Sequence, residues 1–189
     1  MVIGVLALQG DFHEHLAALA HLGVEGRNVR TPEQVLACDG LILPGGESTT
    51  IGKLMRRFGV DAAIKAFHAA GKPIYGTCAG AILLSNDVVE NDVHRLDLLQ
   101  VRISRNAYGR QIDSFETDLD IVGLAAPYRA VFIRAPRFVS VGAGVEVLAA
   151  VGDEPVMVRQ GNLLASTFHP ELTDDPSVHR MVVEMARVG

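Results

Sequence analysis

Apolar and polar positions follow two different periods in the first 80 residues. Continuous apolar runs at 2–8, 39–43 and 74–77 are typical of strands buried on both faces of a parallel sheet, and 24–29 resembles a more exposed strand. Helical spacing separates these runs, at 11–22, from 31 onwards, at 48–58 and at 61–70. This order predicts an α/β three-layer sandwich with a mostly parallel central sheet flanked by helices.

The second half of the chain changes character. Between 101 and 158 the segments are short and β-rich, with the clearest strands at 131–133, 145–148 and 156–158. A last strand is predicted at 163–166 and a closing helix at 176–188. Since repeats, low-complexity segments and linkers are not apparent, we expect residues 1–189 to form a single domain.

Composition narrows the range of functions. The formal charge is −5 and Lys and Arg are not clustered, so we expect no nucleic-acid partner. The longest apolar runs are far shorter than the ~18 residues that span a bilayer, so no membrane segment is expected. Two cysteines, Cys38 and Cys78, are too few for a disulfide framework and lack zinc-site spacing. We therefore expect no metal and a reducing cytoplasm.

The strongest local motif is Gly76-Thr77-Cys78-Ala79-Gly80, which lies between a predicted strand and a predicted helix. A nucleophile elbow has this form, because the sharp turn exposes the nucleophile and the glycines let neighbouring chain approach. The start of the helix favours a thiolate, and the backbone N–H of Ala79 is a candidate oxyanion donor. The pentapeptide alone also fits a buried structural cysteine in an ordinary turn.

A second motif, His169-Pro170-Glu171, supplies the partners that a cysteine nucleophile needs. Residues two apart in extended chain point to the same side, so Glu171 could orient His169 as a base. The alternative is a surface loop in which neither side chain has a catalytic role.

A third motif, 44–50, follows the strand at 39–43. Its paired glycines allow a tight turn in which Gly46 could supply another oxyanion donor. The alternatives are a simple strand-to-helix loop capped by Ser48 and a phosphate loop. The phosphate loop is disfavoured, because Leu54 rather than Ser or Thr follows Lys53.

Together these three motifs resemble the class I, or triad, glutamine amidotransferases. The resemblance implies a flavodoxin-like class I glutamine amidotransferase fold. It gives Cys78 the role of nucleophile, His169 that of base and acid, and Glu171 that of orienting carboxylate. Backbone N–H groups of Gly46 and Ala79 would form the oxyanion hole.

The similarity extends over the whole chain to the glutaminase subunits of pyridoxal 5′-phosphate synthase. It is carried by Ala7-Leu8-Gln9-Gly10 with Glu14-His15, by 44–50 and 76–80, by Arg105-Asn106-x-x-Gly109-Arg110-Gln111-x-Asp113-Ser114-Phe115-Glu116, by 132–136 and by 168–172. One departure is Asp97, which stands where that family commonly has glycine. The residues that the resemblance implies for glutamine contact are Gly46, Glu47, Ser48, Arg105, Ile133 and Arg134.

That resemblance also implies the partners. L-Glutamine is the substrate, no cofactor is implied, and the ammonia passes to a (β/α)₈-barrel synthase subunit in a large hetero-oligomer. Arginine suits the α-carboxylate of glutamine and Glu47 its ammonium group. From sequence alone, surface salt bridges are the competing explanation for Arg105 and Arg134.

Two other functions stay open at this point. A cysteine peptidase of the same fold would use the same elbow and histidine, and a regulatory subunit would only hold the synthase. The remaining histidines are assigned no function. His13 and His15 lie about 200° apart on a helix and cannot chelate one metal together. His21, His68, His94 and His179 are interpreted as surface or satisfied residues, and Cys38 is interpreted as structural.

Overall fold

A computed structural model describes residues 1–90, 93–105 and 114–188. Within these ranges the strands are β1 (Val2–Leu6), β2 (Glu25–Val29), β3 (Gly40–Leu43), β4 (Ile74–Thr77), β5 (Ser85–Val88), β6 (Leu99–Ser104), β7 (Ser114–Leu119), β8 (Tyr128–Ile133), β9 (Arg137–Val141), β10 (Glu146–Val151), β11 (Glu154–Gln160) and β12 (Leu163–Ser166). The helices are α1 (Phe12–His21), α2 (Pro32–Leu36), α3 (Ser48–Phe58), α4 (Val60–Ala69), α5 (Ala79–Leu84) and α6 (Ser177–Val188), and Pro170–Leu172 form a 3₁₀ turn.

The main sheet has seven strands in the order β10-β11-β12-β4-β3-β1-β2. The five strands from β12 to β2 pair in parallel, whereas β10, β11 and β12 pair antiparallel. The predicted mostly parallel central sheet is therefore confirmed. The limits of β1, β2, β3 and β4 also lie within about two residues of the predicted ranges.

Both faces of this sheet are buried, which gives three layers. Along β3, Leu41 and Leu43 pack into one core with α3, α4 and α5, while Ile42 packs into a second core with α1 and α6. The same alternation occurs along β4, where Ile74 and Tyr75 face opposite cores. Because successive side chains of a strand point to opposite faces, the continuous apolar runs correspond to strands covered on both sides.

Two small sheets flank the main one. One has the order β5-β6-β9, and the other pairs β7 with β8. Strands β5, β6, β7 and β9 were not predicted individually. Strand β5 reads Ser-Asn-Asp-Val and is too polar to give a strand pattern, whereas β7 alternates half-buried and exposed residues. Strand β9 pairs with β6, which is far away along the chain, whereas β6 alternates buried Leu99, Val101 and Ile103 with exposed residues, a strand pattern that the sequence does contain.

Capping residues set the limits of the predicted helices. Thr31 and Gln34 form a capping box at the start of α2, with Pro32 in the first turn as the sequence predicted. Helix α3 ends at Gly59, whose left-handed φ of 69° requires little energy in glycine. Among the described residues, no helix is long and apolar enough to cross a membrane.

The parallel strands place the functional motifs at one edge of the sheet. Strand β1 leads into Gln9, β3 into Gly45, β4 into Cys78 and β12 into His169. Since parallel strands end at the same edge, residues distant in the sequence meet there, which is where α/β folds commonly bind ligands.

Candidate active site

Cys78 lies on a strained turn between β4 and α5. Its backbone has φ 48° and ψ −103°, and its side chain is almost fully buried, with 8% exposed. Such a conformation is unfavourable for a residue with a side chain, and it persists only where surrounding contacts enforce it. One of these contacts is the hydrogen bond that the Cys78 N–H donates to the carbonyl of Ser166 at 2.9 Å.

The glycines on either side of Cys78 are required by close backbone contacts. A Cβ atom on Gly80 would lie 2.0 Å from the carbonyl oxygen of Leu43, and one on Gly76 would lie 2.6 Å from the backbone of Gly80. Neither neighbour is a flexible side chain. The Gly-x-Cys-x-Gly pattern therefore corresponds to a strand, elbow and helix packed at backbone contact distance, as the motif predicted.

His169 and Glu171 are held together just after β12. The Nδ1 atom of His169 lies 2.7 Å from Oε1 of Glu171, and both side chains are buried. The N–H of His169 donates to the carbonyl of Val131 in β8 at 2.9 Å, which fixes the backbone. A histidine held at Nδ1 by a carboxylate has its Nε2 atom available for a proton donor or acceptor.

The histidine also interacts with the cysteine. Burial by itself lowers the pKa of His169, but hydrogen bonds and attraction to Cys78 and Glu171 more than offset it, so that the pKa lies well above 6.5. Burial acts in the opposite direction on Glu171 and raises its pKa. We place the shared proton on His169, because a short bond from an imidazolium to a carboxylate is charge-assisted. The three side chains predicted as a triad therefore lie in one cluster.

The turn formed by Gly45 and Gly46 packs directly against this cluster. A Cβ atom on Gly45 would lie 2.7 Å from Cε1 of His169. The turn is held by the Asp11 N–H, which donates to the carbonyl of Gly45 at 3.1 Å, and by the Glu47 N–H, which donates to Oε1 of Gln9 at 2.8 Å. Gly46 has a φ of 150°.

Two residues predicted to contact glutamine also contact each other. Nη2 of Arg105 lies 3.3 Å from Oε1 of Glu47. The Glu47 carboxylate caps α3 by accepting from the N–H groups of Thr49 and Thr50. Partial burial raises its pKa, but hydrogen bonds from Thr50 and Thr49 outweigh this and lower the pKa of Glu47 to about 2. Glu47 is therefore an anion at neutral pH.

The remaining predicted contacts lie on nearby segments. Ser48 is the buried first residue of α3, and Ala79 is the first residue of α5, where the backbone N–H has no partner inside its helix. Ile133 ends β8 and is 40% exposed, and Arg134 follows with a left-handed φ of 45°. The part of the Arg-Asn motif at 106–113 lies outside the described residues.

Several residues in this region were missed or assigned no role by sequence reasoning. His179 was interpreted as a surface or satisfied side chain and His15 was given no function, and both are fully buried. His15 precedes buried Leu19 by four residues, so helical spacing could have placed it on the inner face of α1. Asp11 and Gln9 follow β1, and only the position of that strand end indicates their closeness to the turn.

One group of described side chains has the spacing of a metal site. Ligand atoms of Asp11, His169 and Glu171 lie within 4.8 Å of one another. Since Nδ1 of His169 and Oε1 of Glu171 already bond to each other, these two atoms serve the triad in the present arrangement.

A separate cleft lies elsewhere on the described surface. Its volume is about 620 Å³, and its lining includes Pro73 and Asn162, which precede β4 and β12. These positions are at the amino ends of the strands, opposite the triad, and the lining contains none of the predicted site residues.

Comparison with known proteins assigns the chain to a family. The model of the SNO glutamine amidotransferase family matches residues 5–188. Because this match covers nearly the whole chain, the protein belongs to the SNO glutamine amidotransferase family.

Relatives of similar length support this assignment. The chain is 52% identical to "Pyridoxal 5′-phosphate synthase subunit PdxT" of Thermus thermophilus over 189 residues, which cover 99% of this chain and 98% of the relative. It is 53% identical to the protein of the same name from Pseudothermotoga lettingae, with 100% of this chain and 97% of the relative covered.

Solved structures agree at the level of the fold. A crystal structure of a glutamine amidotransferase matches with a TM-score of 0.95 at 52% identity, covering 99% of this chain and 100% of that chain. PurLQS from Thermotoga maritima matches with a TM-score of 0.70 at 19% identity, covering 99% of this chain and 97% of that one. The second match shows a shared fold alone.

Proposed function

We propose that this chain hydrolyses L-glutamine to L-glutamate and ammonia with Cys78 as nucleophile, His169 as acid and base, and Glu171 as the orienting carboxylate. The observation that carries the proposal is the meeting of the elbow cysteine with a histidine whose Nδ1 atom is held by a buried carboxylate. Membership of a glutamine amidotransferase family supports glutamine as the substrate rather than a peptide.

The proposed reaction has two halves. The Cys78 thiolate bonds to the side-chain amide carbon of glutamine, and the carbonyl electron pair moves to oxygen. When this intermediate collapses, the C–N bond breaks and the His169 imidazolium gives its proton to the departing nitrogen, which leaves as ammonia. Neutral His169 then takes a proton from water, the resulting hydroxide attacks the γ-glutamyl thioester, and the C–S bond breaks to release glutamate and thiolate.

The backbone N–H groups of Gly46 and Ala79 are proposed as the oxyanion donors. Each such donor is expected to lower the barrier by ~3 kcal/mol. The Gly45–Gly46 turn is held by Gln9 and Asp11 in the present structure. We propose that docking of a synthase subunit orders this turn for catalysis and completes the oxyanion hole.

Glutamine itself is proposed to lie between α3, the end of β6 and the end of β8. Glu47, which stays ionised because of its pKa of about 2, would attract the α-ammonium group, and Arg105 or Arg134 would attract the α-carboxylate. The 3.3 Å contact between Arg105 and Glu47 supports this arrangement, because it places opposite charges side by side as a zwitterionic amino acid requires. Gly46, Ser48 and Ile133 complete the proposed contacts.

The ammonia is proposed to pass to a synthase subunit. The relatives named above are subunits of pyridoxal 5′-phosphate synthase, and free ammonia would be protonated and lost in water. We propose a (β/α)₈-barrel partner and a large hetero-oligomer for cofactor biosynthesis. A cytoplasmic location would suit Cys78 and Cys38, both of which are free thiols.

The decisive experiment measures glutamate release from glutamine with and without the synthase subunit. We expect slow turnover alone and a rise of at least tenfold with the partner, because completing an oxyanion hole lowers the barrier by a few kcal/mol. Cys78→Ala should remove activity in both conditions. Equal rates with and without the partner would refute the docking step, and full activity of Cys78→Ala would refute the nucleophile. Short peptides serve as the control substrate for peptidase activity.

A further inference from the structure

A pair of buried histidines joins two helices behind the proposed triad. His15 on α1 and His179 on α6 are both fully buried, and Nδ1 of His15 lies 2.9 Å from Nε2 of His179. They are 164 positions apart in the sequence. An apolar pair of similar size could join α1 to α6 without burying four ring nitrogens, so this contact requires an explanation beyond packing.

The other nitrogen of His15 faces the triad. Its Nε2 atom lies 3.4 Å from Oε2 of Glu171 and 3.4 Å from the hydroxyl oxygen of Thr77. The Oε1 atom of Glu171 is already bonded to His169, whereas Oε2 is buried and makes no hydrogen bond among the described residues. His15 is therefore placed to give the second carboxylate oxygen a polar neighbour, at a distance slightly longer than a good hydrogen bond.

Charge determines which nitrogens carry protons. Burial lowers the pKa of His15 well below 6.5 and that of His179 to about 4, so both rings are neutral at pH 7. Each neutral ring has a single N–H. A hydrogen on Nε2 of His15 would attract the Glu171 carboxylate, whereas a lone pair there would repel it.

The tautomer of His179 follows from that of His15. If Nε2 of His15 carries the hydrogen, its Nδ1 is an acceptor, and Nε2 of His179 must donate to it. Nδ1 of His179, which is buried without a hydrogen bond among the described residues, is then a bare acceptor. The opposite assignment would bury an unpaired donor at that atom, which is costly.

We propose that His15 is a positioning residue for the catalytic carboxylate, directing its Nε2–H at Oε2 of Glu171, and that His179 fixes the tautomer and orientation of His15. This inference rests on the proposed triad and deepens it. Buried Glu171 must stay ionised to hold the His169 imidazolium, and burial alone disfavours that charge. The two rings extend the triad into a chain of five side chains from the elbow to α6.

The test compares His15→Leu with His15→Gln in the glutaminase assay with the synthase subunit present. We expect His15→Leu to lower kcat at least tenfold with KM within twofold, because the histidine touches no substrate. In a plot of kcat against pH, the acidic limb, where kcat falls with decreasing pH, should move to higher pH, because Glu171 would be protonated more readily. His15→Gln, whose amide nitrogen can reach the position of Nε2, should restore much of kcat and return the acidic limb towards its original pH.

Two controls separate this role from simple packing. Leu19→Ala opens a cavity on the same face of α1 and should lower stability without moving the acidic limb. His179→Leu should shift the limb in the same direction as His15→Leu but by less. An acidic limb unchanged in His15→Leu, or shifted equally in Leu19→Ala, would overturn the proposal.

A measurement on the unaltered protein tests the proposal even if the variants fail to fold. Long-range ¹H–¹⁵N correlation spectra should show His15 neutral and protonated on Nε2 at pH 7, and an Nδ1–H tautomer would overturn the proposal. Failure of the triad itself is distinguishable, because it would appear as retained activity in Cys78→Ala. If Cys78→Ala is inactive while His15→Leu behaves like Leu19→Ala, only the positioning role is refuted.

Discussion

Single residues in this protein adopt backbone conformations that their neighbours impose. Asp97 has a left-handed φ of 56°, a conformation that glycine adopts with less strain, and it stands where the sequence resemblance led us to expect glycine. The residues on either side, Leu96 and Leu98, donate N–H bonds to the carbonyls of Leu83 and Leu84 at the end of α5. Asp97 therefore bridges two fixed points, and the departure from the family pattern affects backbone strain rather than the triad.

This explanation predicts the effect of substitutions at Asp97. Asp97→Gly should raise the free energy of unfolding by about 0.5 kcal/mol, because relief of the left-handed strain exceeds the entropy gained by the unfolded chain. Asp97→Ala should lower it by about 1 kcal/mol. The contact with Arg95 is exposed, so its loss contributes little to either variant. Urea unfolding measures both values, and an Ala variant as stable as the Gly variant would contradict the explanation.

Gly45 is constrained in a different way, by the lack of space between its Cα atom and a catalytic side chain. A Cβ atom there would lie 2.7 Å from Cε1 of His169 and 3.2 Å from Oδ2 of Asp11. Gly45→Ala should therefore displace His169 and lower kcat roughly 10- to 100-fold, because a shift of about 1 Å can cost that much. A suitable control is Gly161→Ala, which should lower stability because of its left-handed φ of 57° but should leave kcat unchanged, since a Cβ atom there meets nothing within 4 Å. Steady-state kinetics of both variants check the prediction, which fails if Gly45→Ala retains normal kcat.

At the scale of elements, strand ends and helix pairs assemble the site. Strands β1, β3, β4 and β12 deliver Gln9, Gly45, Cys78 and His169 to the same edge of the sheet. Helices α1 and α6 then close one side of the second core and bring His15 to His179. Because His15 and His179 are buried between α1 and α6, the stability of the packing of these two helices depends on whether the histidines are protonated.

The coupling predicts how stability depends on pH. In the unfolded chain, His179 binds a proton below pH 6.5. In the folded protein its pKa is about 4, so it stays neutral until the pH has dropped to about 4. The unfolded state thus binds more protons between these values, so stability falls as pH drops from 6.5 to 4, by about 3 kcal/mol for this residue. Lowering of the His15 pKa acts in the same direction. His169 has the opposite effect, because its pKa is raised in the folded state. The stability that it contributes is fully present below pH 6.5 and is lost as the pH rises above that value.

His179→Gln provides the check. It removes the titrating group but keeps a polar side chain, so its free energy of unfolding should fall less steeply between pH 6.5 and 4 than that of the original protein. Urea unfolding at several pH values measures both slopes. Parallel slopes would contradict the assignment of this pH dependence to His179.

For the whole molecule, the established points are the α/β sandwich and membership of a glutamine amidotransferase family. The prediction that residues 1–189 form a single domain stays a prediction. The proposed assembly with a synthase subunit has a physical rationale at this scale, because an ammonia-releasing site is useful only where the ammonia is captured before protonation.

The central strands, the helices that separate them and the candidate nucleophile could be predicted from the amino-acid sequence alone. Apolar runs, helical spacing, the proline in the first turn of α2 and the glycines around Cys78 all act within a few residues, so they can be recognised locally. Strands β5, β7 and β9 are polar or depend on partners elsewhere, so they were not recognised individually, whereas the alternation along β6 is a local signal that could have been recognised.

Which polar groups lie together depends on the packing of segments that are distant in the sequence. Helical spacing could place His15 on the inner face of α1, but its contact with His179 depends on two helices from opposite ends of the chain packing on one face of the sheet. Likewise, Gln9 and Asp11 reach the Gly45–Gly46 turn because β1 lies beside β3. Burial and hydrogen bonding between distant segments set the charges of these groups, and local sequence patterns carry no direct record of either.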